Sequence, residues 1–339
     1  MSDKINLAGR SLLTTNDLTD AELLYLLDLS VRLKRKKQRH FRGRLLLNKN
    51  IALVFEKAST RTRFAAIIAA SDEGGLAEYI ESEDTHFGKK ESVKDTARVL
   101  GRMFDGVLFR GYKHSTLEML AEYSGIPVWN GLTDDDHPTQ AMADIMTIRE
   151  HFGTLKGLKV VYIGDGRNNV ALSLMAACAK MGIHFFDCTP PSLNPPEDRV
   201  ASALEAAGRN GSTITIGADP REAVRGANVI YTDVWTSMGE EAMFAERVKL
   251  LRPYQVNLEL MTATGNLENG RVIFLHCLPA FHNNETAVAR DIGALEVTDE
   301  VFEAPYSKVF DLAENRMHTI KALMVATLAG KGKRHAGHG

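Results

Sequence analysis

Short apolar runs alternate with spans of helical composition along this 339-residue chain, and that alternation limits the fold more than any single motif. Strand candidates stand at Ile51–Phe55, Ala77–Ile80, Gly106–Arg110 and Pro127–Asn130, and a second series follows at Lys159–Ile163, His184–Cys188, Thr213–Ile216, Asn228–Thr232 and Val272–His276. A run such as Ile51-Ala52-Leu53-Val54-Phe55, apolar at every position, suits a strand covered on both faces, as in a parallel sheet. Helical spans lie between, at Thr62–Asp72, Glu91–Met103, Ser115–Tyr123, Asn169–Met181 and Arg199–Ala207. The pattern predicts an α/β fold of two doubly wound parallel-sheet domains with a substrate cleft between them. Length agrees, because single cores stop growing at roughly 250–300 residues.

The expected division places one domain over residues 1–150 and the other over 151–309, with the hinge near Gly153 to Gly157. The first helix is signposted by a capping box of Thr19 and Glu22, a staple of Leu18 and Leu23, and the bases Lys34 to Lys37 at its end. A formal net charge of -2 supplies no general attraction to nucleic acid or anionic membrane, so anions must be bound by local clusters. Three widely spaced cysteines, Cys178, Cys188 and Cys277, point to a reducing compartment, and cytoplasm is the expected location. The start MSDKINLAGRSLL has no apolar signal-peptide core.

Ligands of such sheets bind beyond the carboxyl ends of the strands, and there the chain is unusually polar. After the first strand come Ser59, Thr60, Arg61, Thr62 and Arg63, hydroxyls and guanidiniums where a helix begins. A phosphate there would meet free N–H groups, the positive end of the helix dipole and the fork of Arg61. A Ser-capped helix with solvated arginines has the same composition. Arg110 ends the third strand, and TDDDHPTQ puts His137, Thr139 and Gln140 at a helix start with Pro138 fixing the entry. The second series offers GDGRNN (Gly164 to Asn169), DVWTSMG (Asp233 to Gly239) and HCLPAFH (His276 to His282), each at a strand end.

The ordered set S-T-R-T, R-G, H-P-T-Q, D-G-R-N-N, D-V-W-x-S-M-G, H-C-L-P-A-F-H and E-N-R-M-H-T-I-K resembles the ornithine carbamoyltransferases over essentially the whole chain, S-M-G being its most discriminating part. The resemblance implies transfer of the carbamoyl group of carbamoyl phosphate to the δ-amine of L-ornithine, with no metal or organic cofactor. It implies a carbamoyl phosphate-binding domain at 1–150, with a C-terminal helix at about 310–330 packing back onto it, and an ornithine-binding domain at 151–309. Carried over residue by residue, Ser59, Thr60, Arg61, Thr62 and Arg110 would hold the phosphate, and His137 and Gln140 the carbamoyl group. Asn169, Asp233, Ser237 and Met238 would grip the amino-acid end of ornithine, Cys277 and Leu278 would lie at its δ-nitrogen, and Arg316 near carbamoyl phosphate. His86 stands where the family carries a glutamine that reaches the phosphate of a neighbouring subunit, so a homotrimer with shared sites is implied, with His86 in that role. Phe64 and Ala65 also depart from the family pattern.

Two other chemistries fit less well. GDGRNN evokes a dinucleotide fingerprint, but Asn169 occupies the place of its third small residue, where a polar side chain blocks close packing. His276, Cys277 and His282 suggest zinc without completing a tetrahedral set. A non-catalytic amino-acid-binding module would not require both a phosphate site and a cysteine at the transfer point.

Overall fold

The computed structural model describes residues 5–81, 90–236, 243–287, 289–290 and 292–328. The chain divides into two compact units, one formed by residues up to Asp134 together with those from Arg316 on, the other by Asp135 to Asn315. All nine expected strands form, each within a residue or two of its expected limits.

The first unit runs α1 (Asp20–Gln38), β1 (Asn50–Phe55), α2 (Thr60–Asp72), β2 (Leu76–Glu81), α3 (Val93–Met103), β3 (Gly106–Arg110), α4 (His114–Ser124) and β4 (Val128–Leu132). Its sheet is parallel, in the order β2-β1-β3-β4. The chain winds outward from β1 to β2, then returns to the other side of β1 for β3 and β4. The strand order therefore reverses between β1 and β3, the kind of point beyond whose carboxyl ends ligands of such sheets bind.

The cap expected for α1 is present: Glu22 N–H donates to Thr19 Oγ1 at 3.2 Å, and Thr19 N–H donates to Glu22 Oε2 at 2.8 Å. One of the bases at its far end does more than face the dipole. Lys37 Nζ lies 2.7 Å from Asp72 Oδ2, and the buried Lys321 Nζ lies 2.5 Å from the same oxygen. Two ammoniums on one carboxylate hold it ionised, and the Asp72 pKa is lowered by these bonds against the opposing effect of burial. Lys321 belongs to the last helix, α12 (Val309–Leu328), whose residues from Arg316 on are part of the first unit. The same helix accepts a 3.1 Å hydrogen bond from the buried Trp129 indole N–H at Thr327 Oγ1, which fixes α12 to β4.

The second unit runs α5 (Pro138–Phe152), β5 (Lys159–Ile163), α6 (Asn169–Lys180), β6 (His184–Cys188), α7 (Glu197–Asn210), β7 (Ile214–Gly217), α8 (Pro220–Ala223), β8 (Val229–Thr232), α9 (Phe244–Leu251), α10 (Leu258–Ala263), β9 (Ile273–His276) and α11 (Asp299–Phe302). Its parallel sheet has the order β7-β6-β5-β8-β9, so the reversal falls between β5 and β8. Val161, Ile163, Ile230, Phe274 and Leu251 meet in its core. No described helix is long and apolar enough to cross a membrane.

One buried group in this unit is poorly solvated. Asp187, in β6, is 1% exposed, and its Oδ1 has no hydrogen-bond partner among the described residues. Its carboxyl packs against Gly166, where a Cβ would come within 2.6 Å of Oδ2, so that glycine is sterically required. Burial, and then the neighbouring Asp165, push the Asp187 pKa from 3.8 to about 8. The folded protein thus keeps this proton while the unfolded chain loses it, over the window between those values. The contribution to stability is complete below pH 3.8 and drains away as pH rises to about 8, by several kcal/mol at roughly 1.4 kcal/mol per pH unit. Asp187→Asn should therefore gain stability over the wild type between pH 5 and pH 8, and thermal unfolding at the two values measures it. An identical difference at both would show that Asp187 ionises normally.

Candidate active site

In the first unit, the motif after β1 forms the start of α2. Ser59 is its N-cap: Thr62 N–H donates to Ser59 Oγ at 3.3 Å, and Ser59 Oγ–H donates to Thr62 Oγ1 at 3.1 Å. No acidic residue occupies the first turn, so nothing there offsets the positive end of the helix. Thr62 is fully buried and accepts a 2.9 Å hydrogen bond from Arg316 Nη2. Arg61 is half-buried beside it, whereas the Arg63 guanidinium stacks 3.8 Å from the Tyr79 ring centroid. Arg110 ends β3, on the other side of the strand reversal, and Glu56 N–H donates to its carbonyl at 2.8 Å. Ser59, Thr60, Arg61, Thr62, Arg110 and Arg316 thus belong to one unit and to elements at one edge of its sheet. Lys57, 5% exposed, is a further cation here, with Nζ 2.6 Å from Asp134 and over the Tyr112 ring.

His137 and Gln140 open α5, with Pro138 at its first position. The His137 N–H donates to Ser173 Oγ at 2.8 Å, and Ser173 Oγ in turn lies 2.8 Å from Asp136 Oδ1. Asp136, fully buried, is paired on its other oxygen with Arg199 Nη2 at 2.6 Å. Helices α6 and α7 thereby fix the residue that introduces α5. His137 Nδ1 lies 3.5 Å from Thr139 Oγ1. Gln140 is fully buried and donates from Nε2 to Asp144 Oδ1 at 2.8 Å.

Asn169, Asp233 and Cys277 follow β5, β8 and β9, which are adjacent strands across the second reversal. Asn168 caps α6 by accepting from the Val170 N–H at 2.8 Å, leaving Asn169 as the first helical residue, half-buried. Cys277 Sγ–H donates to Asp233 Oδ1 at 3.0 Å, and Val234 N–H donates to the same oxygen at 2.8 Å. Burial raises the Asp233 pKa, and His276 and these two hydrogen bonds partly counter it. Leu278 has φ of +59°, a left-handed backbone that costs a non-glycine residue about 1–2 kcal/mol, so something must hold it. His276 Nδ1 does so by accepting from Leu278 N–H at 2.9 Å. That bond leaves the ring proton on Nε2, which faces Glu296 Oε1 at 3.2 Å. The same Oε1 accepts from Phe281 N–H at 2.6 Å, and both His276 and Glu296 are fully buried. A buried imidazole and carboxylate therefore determine the path of the Cys277–Leu278 backbone.

The carbamoyl-P binding domain of aspartate/ornithine carbamoyltransferase matches residues 10–150, and its Asp/Orn binding domain matches residues 156–327. The chain belongs to the aspartate/ornithine carbamoyltransferase family. A curated relative from Bacillus licheniformis, "Ornithine carbamoyltransferase, catabolic", is 56% identical over 97% of this chain and 99% of its own. One of the same name from Streptococcus ratti is 55% identical over 94% and 96%. The structure of an ornithine carbamoyltransferase from Pyrococcus furiosus superposes with a TM-score of 0.88 at 42% identity, covering 97% of this chain and all of the other.

Within this carbamoyltransferase frame, the residues singled out in the sequence fall into two groups, one on each unit. His86, Ser237 and Met238 lie outside the described residues. Glu296, Asp136, Ser173, Asp144 and Tyr231 were not singled out, because nothing local marks them: each matters through a bond to a residue distant in sequence or one helical turn away. His282 does not join His276 and Cys277; its Nδ1 lies 2.6 Å from Asp299 and its ring stacks on Phe302. Asp233, His276 and Cys277 do bring three ligand-type atoms within 4.8 Å of one another. Here they are engaged among themselves and with Leu278 and Glu296.

Removing Glu296 should expose the dependence of this loop on it. Glu296→Ala strands the His276 Nε2–H and the Phe281 N–H, each costing about 1–3 kcal/mol when buried. Glu296→Gln retains the accepting oxygen and should cost much less. Chemical denaturation of both variants gives the comparison, and equal losses would mean that charge, rather than the accepted hydrogen bonds, is what counts.

Proposed function

We propose that this protein is an ornithine carbamoyltransferase: it moves the carbamoyl group of carbamoyl phosphate to the δ-amine of L-ornithine, giving L-citrulline and phosphate by direct attack through a tetrahedral intermediate. The observation that carries this reading is the buried carboxylate of Asp233 hydrogen-bonded to Cys277 at the ends of β8 and β9, in a chain of this family. An acidic group held there suits an ammonium-bearing substrate. The N-terminus of α2, free of acidic residues and bordered by Arg61, suits a phosphate.

The residues then divide the work. Ser59, Thr60, Arg61, Thr62 and Arg110 hold the phosphoryl group, and Arg316 supports it through Thr62. His137 and Gln140 take the carbamoyl end. Negative charge grows on the carbonyl oxygen as the amine attacks, and a single preorganised donor at such a position contributes roughly 3–4 kcal/mol in other enzymes. Asn169 and Asp233, with Ser237 and Met238, grip the amino-acid end, while Cys277 and the Leu278 backbone face the δ-nitrogen. A free δ-ammonium with a pKa of about 10.4 must lose its proton before attack, at a cost of roughly 4–5 kcal/mol at pH 7. Since Cys277 Sγ donates to Asp233, its hydrogen bond supports an orienting role, with the departing phosphate as proton acceptor. No metal or organic cofactor takes part. The carbamoyl phosphate-binding domain spans 1–150 with the helix near 310–330, and the ornithine-binding domain 151–309.

A homotrimer is part of the proposal. Phe64 and Ile68, one turn apart on α2, and Leu76, at the start of edge strand β2, are large apolar side chains left exposed, which suits burial against another copy. His86 would reach the phosphate of the neighbouring subunit. The three free cysteines, two of them buried, support a reducing, cytoplasmic setting. The catabolic designation of the relatives supports a role in arginine breakdown.

Phosphate release from carbamoyl phosphate should rise steeply on adding L-ornithine, with equimolar citrulline; release indifferent to ornithine would sink the proposal. Cys277→Ala should lower kcat/KM for ornithine at least tenfold, about 1.4 kcal/mol, and leave carbamoyl phosphate binding nearly unchanged. Its kcat/KM should still climb toward alkaline pH, because that limb belongs to the amine of the substrate. For the assembly, light scattering should give three times the chain mass. Mixing Arg61→Ala with His86→Ala protein should regain activity that neither has alone.

A further inference from the structure

The hydrogen bonds around Gln140 determine which way its amide faces. Asp144 is one helical turn further along α5 and fully buried, and its Oδ1 can only accept at the two bonds it makes here. The Gln140 atom 2.8 Å away must therefore be the NH2 nitrogen. Tyr231 OH donates to the same Oδ1 at 3.1 Å, so the lone pairs of the phenol remain available to the second Gln140 N–H, a long contact at 3.5 Å. The tyrosine is itself held, fully buried in β8 and stacked on Tyr162 with ring centroids 6.1 Å apart. Both N–H groups of Gln140 are thus directed inward. Its Oε1 is buried and has no partner among the described residues. A buried amide oxygen of this kind can accept a hydrogen bond but cannot give one.

We infer that Asp144 and Tyr231 are specificity-determining positioning residues: they lock the Gln140 amide with its oxygen toward the substrate, so that the site takes an acyl phosphate bearing an N–H donor and disfavours one that lacks it. The inference rests on the reading of Gln140 as a carbamoyl contact. Carbamoyl phosphate satisfies the oxygen through its NH2 group. Acetyl phosphate, the same size with a methyl in that place, leaves the oxygen buried and unpaired, and sites that reject a ligand in this way discriminate far more strongly than apolar pockets do. Without Asp144 the amide is free to turn, and its NH2 would then face the NH2 of the substrate.

The test uses acetyl phosphate as the probe, in the full-length protein with saturating L-ornithine. Ornithine-dependent citrulline formation by the wild type checks the underlying reading separately, since its absence would refute that reading before any variant is made. Asp144→Ala, which removes the acceptor, should lower kcat/KM for carbamoyl phosphate at least tenfold while the inhibition constant of acetyl phosphate moves less than twofold. Tyr231→Phe should change the same ratio in the same direction by a smaller factor, and it carries the test alone if Asp144→Ala does not fold. Gln140→Glu sets two carboxylates against each other and should be nearly inactive. The swap Gln140→Glu with Asp144→Asn restores a donor opposite an acceptor and should recover at least tenfold over Gln140→Glu. Equal losses for carbamoyl and acetyl phosphate would reduce Asp144 to a structural residue and overturn the inference. So would a swap no better than Gln140→Glu, or an unchanged ratio in both Asp144→Ala and Tyr231→Phe.

Discussion

All strands within each sheet run in one direction, and the remaining features of each unit depend on that constraint. A parallel sheet collects the carboxyl ends of its strands along a single edge, so every loop leaving a strand begins on the same side. Where the strand order reverses, the two flanking loops diverge and leave room for a ligand. In the first unit the reversal lies between β1 and β3, and the loops there carry Ser59 to Thr62 and Arg110. In the second it lies between β5 and β8, and the loops there carry Asn169 and Asp233, with Cys277 on the adjacent β9. The polar motifs gather because the topology leaves them no other place.

Packing such an edge brings carboxylates out of water, and the second unit deals with them in different ways. Asp136 is paired with Arg199, while Asp233 accepts from a thiol and a backbone N–H. Glu296 accepts from an imidazole and a backbone N–H, and in doing so holds the left-handed Leu278 through His276. Asp144 accepts from an amide and a phenol. Of these four, only Asp136 has a cationic partner in the bonds described. In those bonds the others accept from uncharged groups or an imidazole, which orient side chains and backbone. That arrangement suits groups meant to recognise an incoming ammonium or to position an amide. Asp187 behaves differently: burial and then the neighbouring Asp165 raise its pKa to about 8, and it keeps its proton instead.

The fold was almost fully legible in the chain. Each strand of a sheet covered on both faces must be apolar along its length, and such runs stand out between amphipathic helices. The helix starts at Thr19 and Ser59 could be read because a cap is a local interaction, closed within three residues. The polar start of α2 and the Asp233, Cys277 and Asn169 loops could be read for a related reason: residues at strand ends announce themselves by interrupting an apolar run. The division into compact units at Asp134 is a different matter, since compactness is a property of packing, and α5 follows β4 in the sequence while belonging to the second unit.

What the sequence by itself determined was thus everything that depends on near neighbours: the alternation of elements, the helix caps, the chemistry offered at each strand end, and the family to which these motifs belong. What only the tertiary structure decided was orientation and partnership. Nothing in HCLPAFH says that His276 presents Nδ1 to its own loop, because that choice is made by Glu296, twenty residues on. Nothing in HPTQ says that Gln140 turns its NH2 group toward Asp144 and its oxygen away, because Tyr231, ninety-one residues away, and Asp144 make that choice. A side-chain amide or imidazole has two nearly equivalent faces. Only a buried donor or acceptor brought alongside it by the fold separates them in energy.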